Sequence, residues 1–202
     1  MTTLFLVRHA VTADTGNRLT GWTEGVSLTE EGRAQAEIAA KGLAHVAFDA
    51  IYSSPIDRTM ETAKAIARPH GMKVQSRRGI GEVHYGGWTN RPLKSLTRTK
   101  LWTTVQRFPS AARFPDGESV REVQARALSE IEKIAEEHPK GKVCCVSHGD
   151  VIKLIAAHYL GVHIDLFQRI VIGPASVSVI SLTSYGPHIL ALNNCPLVPE
   201  GS

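Results

Sequence analysis

The stretch Leu4-Phe5-Leu6-Val7-Arg8-His9-Ala10 decides how this chain is interpreted. Its first four residues form a short apolar run of the kind that makes a buried strand, and a guanidinium and an imidazole follow at once. In open α/β sheets, ligands bind just outside the carboxyl ends of the strands. Arg8 and His9 are therefore candidates for a reaction centre. The simpler interpretation is a surface loop that carries two basic side chains.

The same pattern recurs late in the chain. Residues 143–146 (Val-Cys-Cys-Val) are apolar on both faces, as in a central parallel strand covered by helices, and Ser147-His148-Gly149-Asp150 follows them. Because parallel neighbouring strands end at the same edge of a sheet, we expect His9 and His148 to meet there.

A third strand end supplies another arginine. Residues 50–53 form a short predicted strand, and Ser54-Pro55 after it predicts a helix with Ser54 as N-cap and Pro55 at the first helical position. Arg58 then lies in the first helical turn. The sequence thus predicts two imidazoles and two guanidiniums at one sheet edge.

The remaining elements alternate between strands and helices. Predicted strands cover residues 3–7, 50–53, 72–76, 142–146, 176–183 and 188–192; predicted helices run from a Thr29 cap to about Ala44, from 55 to before Pro69, over 93–107, from an Asp116 cap to about Glu137, and over 151–160. This alternation predicts an α/β fold, a three-layer α/β/α sandwich with a mostly parallel central sheet. We expect one catalytic domain over residues 1–202, with 193–202 as a tail.

Composition narrows the function class. The 202 residues are 43% hydrophobic and 21% charged, with a net charge of +4. This modest basic excess suits an anionic small molecule, and it argues only weakly for nucleic acid. The three cysteines show no metal spacing, and no apolar stretch of about 18 residues is present. We therefore expect free thiols, a cytoplasmic location, no nucleic-acid or membrane partner, and a monomer or homodimer.

The residue types at the strand ends suit phosphoryl transfer. Arginine presents a charged fork of donors that matches a phosphoryl group, and a helix N-terminus adds backbone N–H groups. A neutral imidazole can act as a nucleophile, and a second imidazole can stabilise developing charge. A departing alkoxide needs a proton donor, and Glu82, in the glycine-flanked segment 79–87, is the best candidate.

With these residues in place, the sequence closely resembles the histidine phosphatase superfamily, in its cofactor-dependent phosphoglycerate mutase-like branch. The resemblance covers residues 4 to about 183 and rests on these segments in order: Arg8-His9; Gly21-Trp22; Leu28-Thr29-Glu30-Glu31-Gly32; Tyr52-Ser53-Ser54-Pro55 with Arg58; Glu82 with Gly86-Gly87-Trp88; Pro115-Asp116-Gly117-Glu118-Ser119; and Val146-Ser147-His148-Gly149. It implies a phosphoglycerate mutase-like fold and no metal or other cofactor.

The same resemblance implies a role for each site residue. His9 would be the phosphorylated nucleophile, and Glu82 would donate the proton to the leaving group. Arg8, Arg58 and His148 would form the phosphate pocket. We also include Gly21 and Gly149, which stand within the matching segments, among the expected phosphate-binding residues.

The sequence departs from the family pattern in the segment after the histidine and in the stretch between Trp88 and Glu118. Ala10-Val11-Thr12 follows the histidine where relatives often have Gly-Glu-Thr, and Thr15 replaces the usual pocket asparagine, with Asn17 two residues on. One of Thr15 and Asn17 is expected to contact phosphate, and the sequence does not say which. No adjacent arginine pair stands between Trp88 and Glu118. Scattered basic residues there are either anion ligands or a solvated face: Lys94, Arg98, Lys100, Arg107 and Arg113.

The preferred function is a phosphomonoester hydrolase that acts through a phosphohistidine on a small phosphorylated metabolite. A phosphomutase of the same branch, which passes the phosphoryl group to a second hydroxyl instead of water, is the nearest alternative. A metal-dependent hydrolase with His9, Glu82, His84 and His148 as ligands is disfavoured, because two arginines beside the histidines would repel a divalent cation. A phosphate-binding module without turnover is the non-enzymatic alternative.

Overall fold

The computed structural model describes residues 1–195. In this range six strands form one sheet in the order β3-β2-β4-β1-β5-β6. The strands are β1 Thr2–Arg8, β2 Ala50–Ser53, β3 Val74–Ser76, β4 Lys142–Ser147, β5 Val177–Thr183 and β6 Gly186–Asn194. The first four are mutually parallel, β5 pairs antiparallel with β1, and β6 pairs antiparallel with β5 at the edge of the sheet. The predicted mostly parallel sheet is confirmed.

Helices cover both faces of this sheet. They are α1 Glu30–Leu43, α2 Asp57–Ala67, α3 Leu93–Leu96, α4 Lys100–Arg107, α5 Val120–Glu137 and α6 Gly149–Tyr159. Adjacent residues of β4 show how the layers divide. Cys144 packs in the core beside α1 and α2, whereas Cys145 packs in the core beside α5 and α6. The three-layer α/β/α architecture is therefore confirmed.

Two predicted helix caps are wrong. Helix α2 begins at Asp57, with Ile56 at the N-cap position and no side-chain cap, because the Ser54 hydroxyl is bonded to His148 instead. Helix α5 is capped by Ser119 and not by Asp116. Ser119 and Glu122 form a reciprocal capping box, which satisfies two helix N–H groups at once, while Asp116 occupies a turn with a φ of 53°.

The other differences concern element ends. The region predicted as one helix over 93–107 forms two helices, α3 and α4. Thr99 is the N-cap of α4, and its side chain accepts the Trp102 backbone N–H. Helix α6 begins at Gly149, two residues earlier than predicted, and β3 begins two residues later. Strand β6 reaches Asn194, so the first two residues of the predicted tail belong to the sheet. Residues 196–202 lie outside the described residues.

Two further properties bear on the environment of the protein. Cys144 and Cys145 are buried free thiols, and Cys195 is an exposed one. Within residues 1–195, every helix is too short or too polar to cross a membrane.

Candidate active site

The register of β1 and β4 brings the two strand-end histidines together. Arg8 pairs with Ser147, so His9 and His148 leave neighbouring strands at the same sheet edge. The His9 backbone N–H donates to the Ser147 carbonyl at 2.9 Å, and the two imidazole centroids lie 5.3 Å apart. The juxtaposition expected from the two strand-end motifs is present.

His9 presents one defined nitrogen to this edge. Its Nδ1 lies 2.8 Å from the Ala10 carbonyl oxygen. Because a carbonyl oxygen only accepts, Nδ1 carries the proton and Nε2 keeps its lone pair. Burial, and then the positive charges of Arg58 and Arg8, hold the pKa of His9 well below its ordinary 6.5. His9 is therefore a neutral imidazole whose unprotonated Nε2 can act as a nucleophile.

Arg58 lies at the centre of the site. Its guanidinium is almost completely buried and donates from Nε to Nε2 of His9 at 3.3 Å. Its Nη2 donates to the Gly21 carbonyl at 2.9 Å, which anchors the guanidinium to the loop after β1. Gly21 has a φ of 54°, and a Cβ there would lie 3.2 Å from the Tyr85 ring. A glycine is thus needed to place this carbonyl beside Arg58.

His148 is fixed from both of its ring nitrogens. Nδ1 accepts from Arg58 Nη2 at 3.3 Å, and Nε2 lies 2.8 Å from the Ser54 hydroxyl oxygen. His148 and Ser54 are both completely buried. Burial, and then the charge of Arg58 and the neighbouring His9, hold the pKa of His148 well below 6.5. Ser54 is a site residue that the sequence assigned to a helix cap.

Glu82 completes the cluster. Its Oε2 lies 3.6 Å from Arg58 Nη2 and 3.5 Å from His148 Nδ1, while Oε1 accepts the Val83 backbone N–H at 3.0 Å. Burial raises the pKa of Glu82 above its ordinary 4.5, and the charge of Arg58 only partly opposes this shift. A buried carboxyl with a raised pKa is suited to donate a proton and take one back.

Two buried donors at the site have no partner in the described part of the chain. They are Nε of Arg8 and Nη1 of Arg58. A buried, unsatisfied donor on a charged group costs about 1–3 kcal/mol or more, so such a pair is expected where an anion supplies the acceptors. Arg8 is held by a bond from Nη1 to the Ile172 carbonyl at 2.7 Å.

Gly149 opens α6 beside the Arg8 guanidinium. A Cβ at Gly149 would stand 3.2 Å from Arg8 Nε, closer than most side-chain contacts. Its lack of a side chain therefore keeps this donor and the helix N-terminus open to an anion. Of the two glycines expected at the phosphate, Gly149 lines the cavity, whereas Gly21 is absent from its lining and contacts Arg58 through its carbonyl.

A cavity of about 370 Å³ opens at this site, and Arg8, His9, Glu82 and Gly149 are part of its lining, whereas Arg58 and His148 lie behind them, outside the lining. Thr15 lines it, with its hydroxyl accepting the Thr12 backbone N–H at 2.9 Å, whereas Asn17 is exposed and lies outside the lining. Of these two candidates, Thr15 therefore faces the cavity and Asn17 does not.

The five basic residues considered as anion ligands between Trp88 and Glu118 do not form part of this cavity. All five are exposed and absent from the lining: Lys94, Arg98, Lys100, Arg107 and Arg113. The cations that line the outer cavity are instead Arg18 and Lys153, which sequence reasoning missed. Lys153 pairs with Asp150 three residues earlier on α6. That spacing was the only signal for it in the sequence.

His84 does not join Glu82 in the site. It is exposed and stacks on Trp22, with the ring centroids 4.5 Å apart. The four ligands of the metal-hydrolase alternative are therefore not brought together. In residues 1–195, the His, Cys, Asp and Glu side chains form no group of three that could hold a metal ion.

The backbone that carries Glu82 is held by Arg126 of α5. Arg126 donates to the carbonyls of Gly79, Gly81 and Glu82 at 2.8, 2.9 and 2.8 Å. Two more of its bonds reach Glu118, at 2.6 and 2.9 Å, and Glu118 accepts the His84 N–H at 2.9 Å. This pair, which we call the Arg126–Glu118 clamp, fixes the irregular segment around Glu82.

Comparison with known proteins identifies similarity along most of the chain. The profile of the histidine phosphatase superfamily (branch 1) matches residues 4–195. Phosphoserine phosphatase 1 of Hydrogenobacter thermophilus is 31% identical over 197 residues, covering 96% of this chain and 92% of that protein. A probable phosphoglycerate mutase of Yersinia pestis is 30% identical over 181 residues, covering 88% and 84%. The solved structure of Bacillus stearothermophilus YhfR superposes with a TM-score of 0.90 at 27% identity, covering 96% and 98%.

Proposed function

The chain belongs to the histidine phosphatase superfamily and is a phosphatase, and we propose that it hydrolyses phosphomonoesters through a phosphohistidine formed on His9. The observation that carries this proposal is that one unprotonated imidazole nitrogen and two unpartnered guanidinium donors occur in the same site. Nε2 of His9 is unprotonated and accepts a hydrogen bond from Arg58 Nε at 3.3 Å, and the two unpartnered donors come from Arg8 and Arg58 at the same site.

In the first step, Nε2 of His9 attacks phosphorus and the bond from phosphorus to the ester oxygen breaks. Glu82 gives its proton to the departing oxygen, so the product is a neutral alcohol. Arg8 and Arg58 donate to the equatorial phosphoryl oxygens, with His148 and the N-terminus of α6 at Gly149 beside them. Gly21 acts through its carbonyl, which holds Arg58 in place.

In the second step, the ionised Glu82 takes a proton from a water molecule. The water oxygen attacks phosphorus, the bond from phosphorus to Nε2 breaks, and phosphate leaves. His9 returns to its neutral form and Glu82 to its protonated form, so the cycle closes without a net proton change in the protein. A neutral imidazole is also the better leaving group in a site that already contains two guanidiniums.

Hydrolysis is preferred over a phosphomutase reaction. The H. thermophilus relative is named a phosphoserine phosphatase and the Y. pestis relative a probable phosphoglycerate mutase. The two reactions share the first step and differ in what accepts the phosphoryl group. We propose water as the acceptor, in one catalytic domain.

The free thiols are consistent with a reducing, cytoplasmic setting for the protein.

The experiment measures phosphate release from a panel of phosphomonoesters by the full-length protein. It also measures isomerisation of 3-phosphoglycerate with and without a bisphosphate primer. Steady phosphate release that disappears in His9→Asn, with no isomerisation, supports the proposal. Primer-dependent isomerisation as the faster reaction would assign the chain to the phosphomutases. Saturable phosphoester binding without turnover would make it a binding module.

A further inference from the structure

The cavity above the phosphoryl site has a continuous aromatic wall. The ring centroids of Tyr85 and Phe114 lie 4.9 Å apart and those of Phe114 and Trp88 lie 5.5 Å apart, both edge to face. The rings of Trp88 and Trp102 lie 6.4 Å apart, tilted by 30° to each other. All four rings line the cavity, together with Leu19, Leu93 and Val105. We call these four rings the aromatic wall.

The wall is contributed by segments that the phosphoryl chemistry does not use. Tyr85 and Trp88 follow the Glu82 segment, Trp102 stands on α4, and Phe114 precedes α5. The cavity volume of about 370 Å³ falls in the usual range for small-molecule sites, about 300–1,000 Å³, so the space extends well beyond one phosphoryl group. The alcohol side of the substrate must occupy this extension.

The charged residues of the outer cavity are already paired. Arg18 Nε lies 3.5 Å from Asp14 Oδ1, and Arg18 also donates to the Asn90 carbonyl. Lys153 Nζ lies 3.0 Å from Asp150 Oδ1 and 3.1 Å from Gln168 Oε1. Both carboxylates line the cavity with their cations, so the outer cavity has no net formal charge. A second anionic group on the substrate would therefore meet no unpaired cation there and two nearby carboxylates.

We propose that the preferred substrate is a phosphomonoester whose alcohol carries an uncharged aromatic or bulky apolar group, which packs against the aromatic wall. This inference rests on the proposed phosphatase function and adds the substrate class. Flat rings pack well on an aromatic surface, and removing that surface from water stabilises the complex. Small substrates with a carboxylate or a second phosphate gain nothing from this wall.

The test compares three primary alkyl phosphates that have closely related leaving groups. They are 2-phenylethyl phosphate, ethyl phosphate and O-phosphoserine, and kcat/KM is measured for each. We expect 2-phenylethyl phosphate to exceed both others by about tenfold or more. A preference for O-phosphoserine, or equal values for the phenylethyl and ethyl esters, would overturn the inference while leaving phosphatase activity demonstrated.

Variants of α4 locate the effect. Trp102 is half-buried, so Trp102→Ala is compared with Trp102→Phe and with Thr103→Ala, an exposed neighbour outside the cavity lining. We expect Trp102→Ala to reduce the phenylethyl-to-ethyl ratio about tenfold, Trp102→Phe to keep most of it, and Thr103→Ala to leave it unchanged. Far-UV circular dichroism and a thermal unfolding curve show whether each variant is folded. An unchanged ratio in Trp102→Ala would contradict the assignment.

Binding measurements distinguish failure of the proposed hydrolytic function from failure of the substrate-class inference. If no ester is hydrolysed, calorimetric titration with 2-phenylethylphosphonate and ethylphosphonate still measures how much the aromatic wall contributes to binding affinity. Tighter binding of the phenylethyl compound that depends on Trp102 would support the inference and reject only the hydrolytic function. Equal affinities would reject the inference itself.

Discussion

Oε2 of Glu82 lies 3.6 Å from Nη2 of Arg58, yet the pKa of Glu82 is raised and not lowered. A guanidinium at this distance favours the ionised carboxylate, but the cost of removing that charge from water is larger here. The balance keeps a protonated fraction of Glu82 available at higher pH than an exposed glutamate would. The pH dependence of the reaction follows from this balance.

Glu82 should govern the alkaline limb of the activity profile. We expect kcat/KM to fall as the pH rises through the pKa of Glu82, which lies above 4.5, because the proton donor is then lost. Glu82→Gln should reduce kcat/KM by about 10²- to 10⁴-fold and remove this limb. The measurement is a pH–rate profile with an alkyl phosphate, whose own ionisation near pH 6 is common to all variants.

A control for that profile is Glu136→Gln, an exposed glutamate on α5 away from the cavity. This substitution should leave both kcat/KM and the alkaline limb of the pH–rate profile unchanged. A Glu82→Gln profile that keeps the alkaline limb of the wild type would show that another group donates the proton.

Ser54 should stabilise the protein and orient His148. Since Nδ1 of His148 accepts from Arg58, its Nε2–H donates to the Ser54 hydroxyl at 2.8 Å within a fully buried pair. Ser54→Ala leaves that N–H unsatisfied and should lower the free energy of unfolding by about 1–3 kcal/mol. It should also lower kcat. Chemical denaturation and steady-state kinetics measure the two effects.

The adjacent Ser53→Ala is the matched control. Ser53 is equally buried, but its hydroxyl donates to the Ser54 carbonyl, which also accepts from the Thr59 hydroxyl at 3.0 Å. Its removal therefore orphans no partner, and both effects should be smaller. Equal losses in the two variants would mean that the Ser54–His148 bond has no special role.

The Arg126–Glu118 clamp should act on catalysis through the position of Glu82. Arg126→Met removes the donors to three carbonyls while keeping the length of the side chain, and should lower the free energy of unfolding by about 2 kcal/mol. Because substrate phosphate is held by other residues, we expect kcat to fall several times more than KM rises. Steady-state kinetics with an alkyl phosphate separates the two constants.

Arg113→Met provides the comparison for the clamp. Arg113 also pairs with a glutamate of α5, Glu122, but both side chains are exposed. We expect little change in stability or in kcat, since exposed ion pairs contribute little. A rise in KM without a loss of kcat in Arg126→Met would contradict a positioning role.

His148 should make the protein less stable in weak acid. Its folded pKa lies well below 6.5, so between those two values the unfolded state binds more protons than the folded state. The free energy of unfolding should therefore fall as the pH drops below 6.5, by up to about 1.4 kcal/mol per pH unit for each such proton. Denaturant titrations at several pH values measure this slope.

The change of the free energy of unfolding with pH is best compared in a Glu82→Gln background. A carboxyl with a raised pKa changes the stability with pH in the opposite direction to His148. Adding His148→Gln keeps an amide N–H toward Ser54 and removes the titrating group. The slope should become shallower. An unchanged slope would show that His148 does not titrate on unfolding in this range.

Sequence patterns predicted the parts of the site that local motifs and sheet geometry determine. Arg8, His9 and His148 follow apolar strand runs, and parallel pairing of those strands is enough to bring them together. Arg58 was placed correctly in the first turn of α2 although the predicted cap was wrong.

The remaining features depend on contacts between distant segments. Ser54 and Pro55 resemble a helix start locally, but the Ser54 hydroxyl is used by a residue 94 positions later. Thr15 and Asn17 lie in an irregular loop, where no periodic pattern fixes which side chain faces the cavity. Arg126 lies on a helix whose register is clear, yet nothing local shows that it meets the Glu82 segment.

The central claim is that Nε2 of His9 carries the phosphoryl group during turnover. Its most direct test is rapid quenching with radiolabelled substrate, followed by identification of the phosphorylated residue and of its linkage by phosphorus NMR on the isolated peptide. We predict acid-labile label on His9, linked through Nε2 because Nδ1 donates a hydrogen bond to the Ala10 carbonyl. We predict no label in His9→Asn. Label on Nδ1, on another residue, or on none during active turnover would contradict the mechanism.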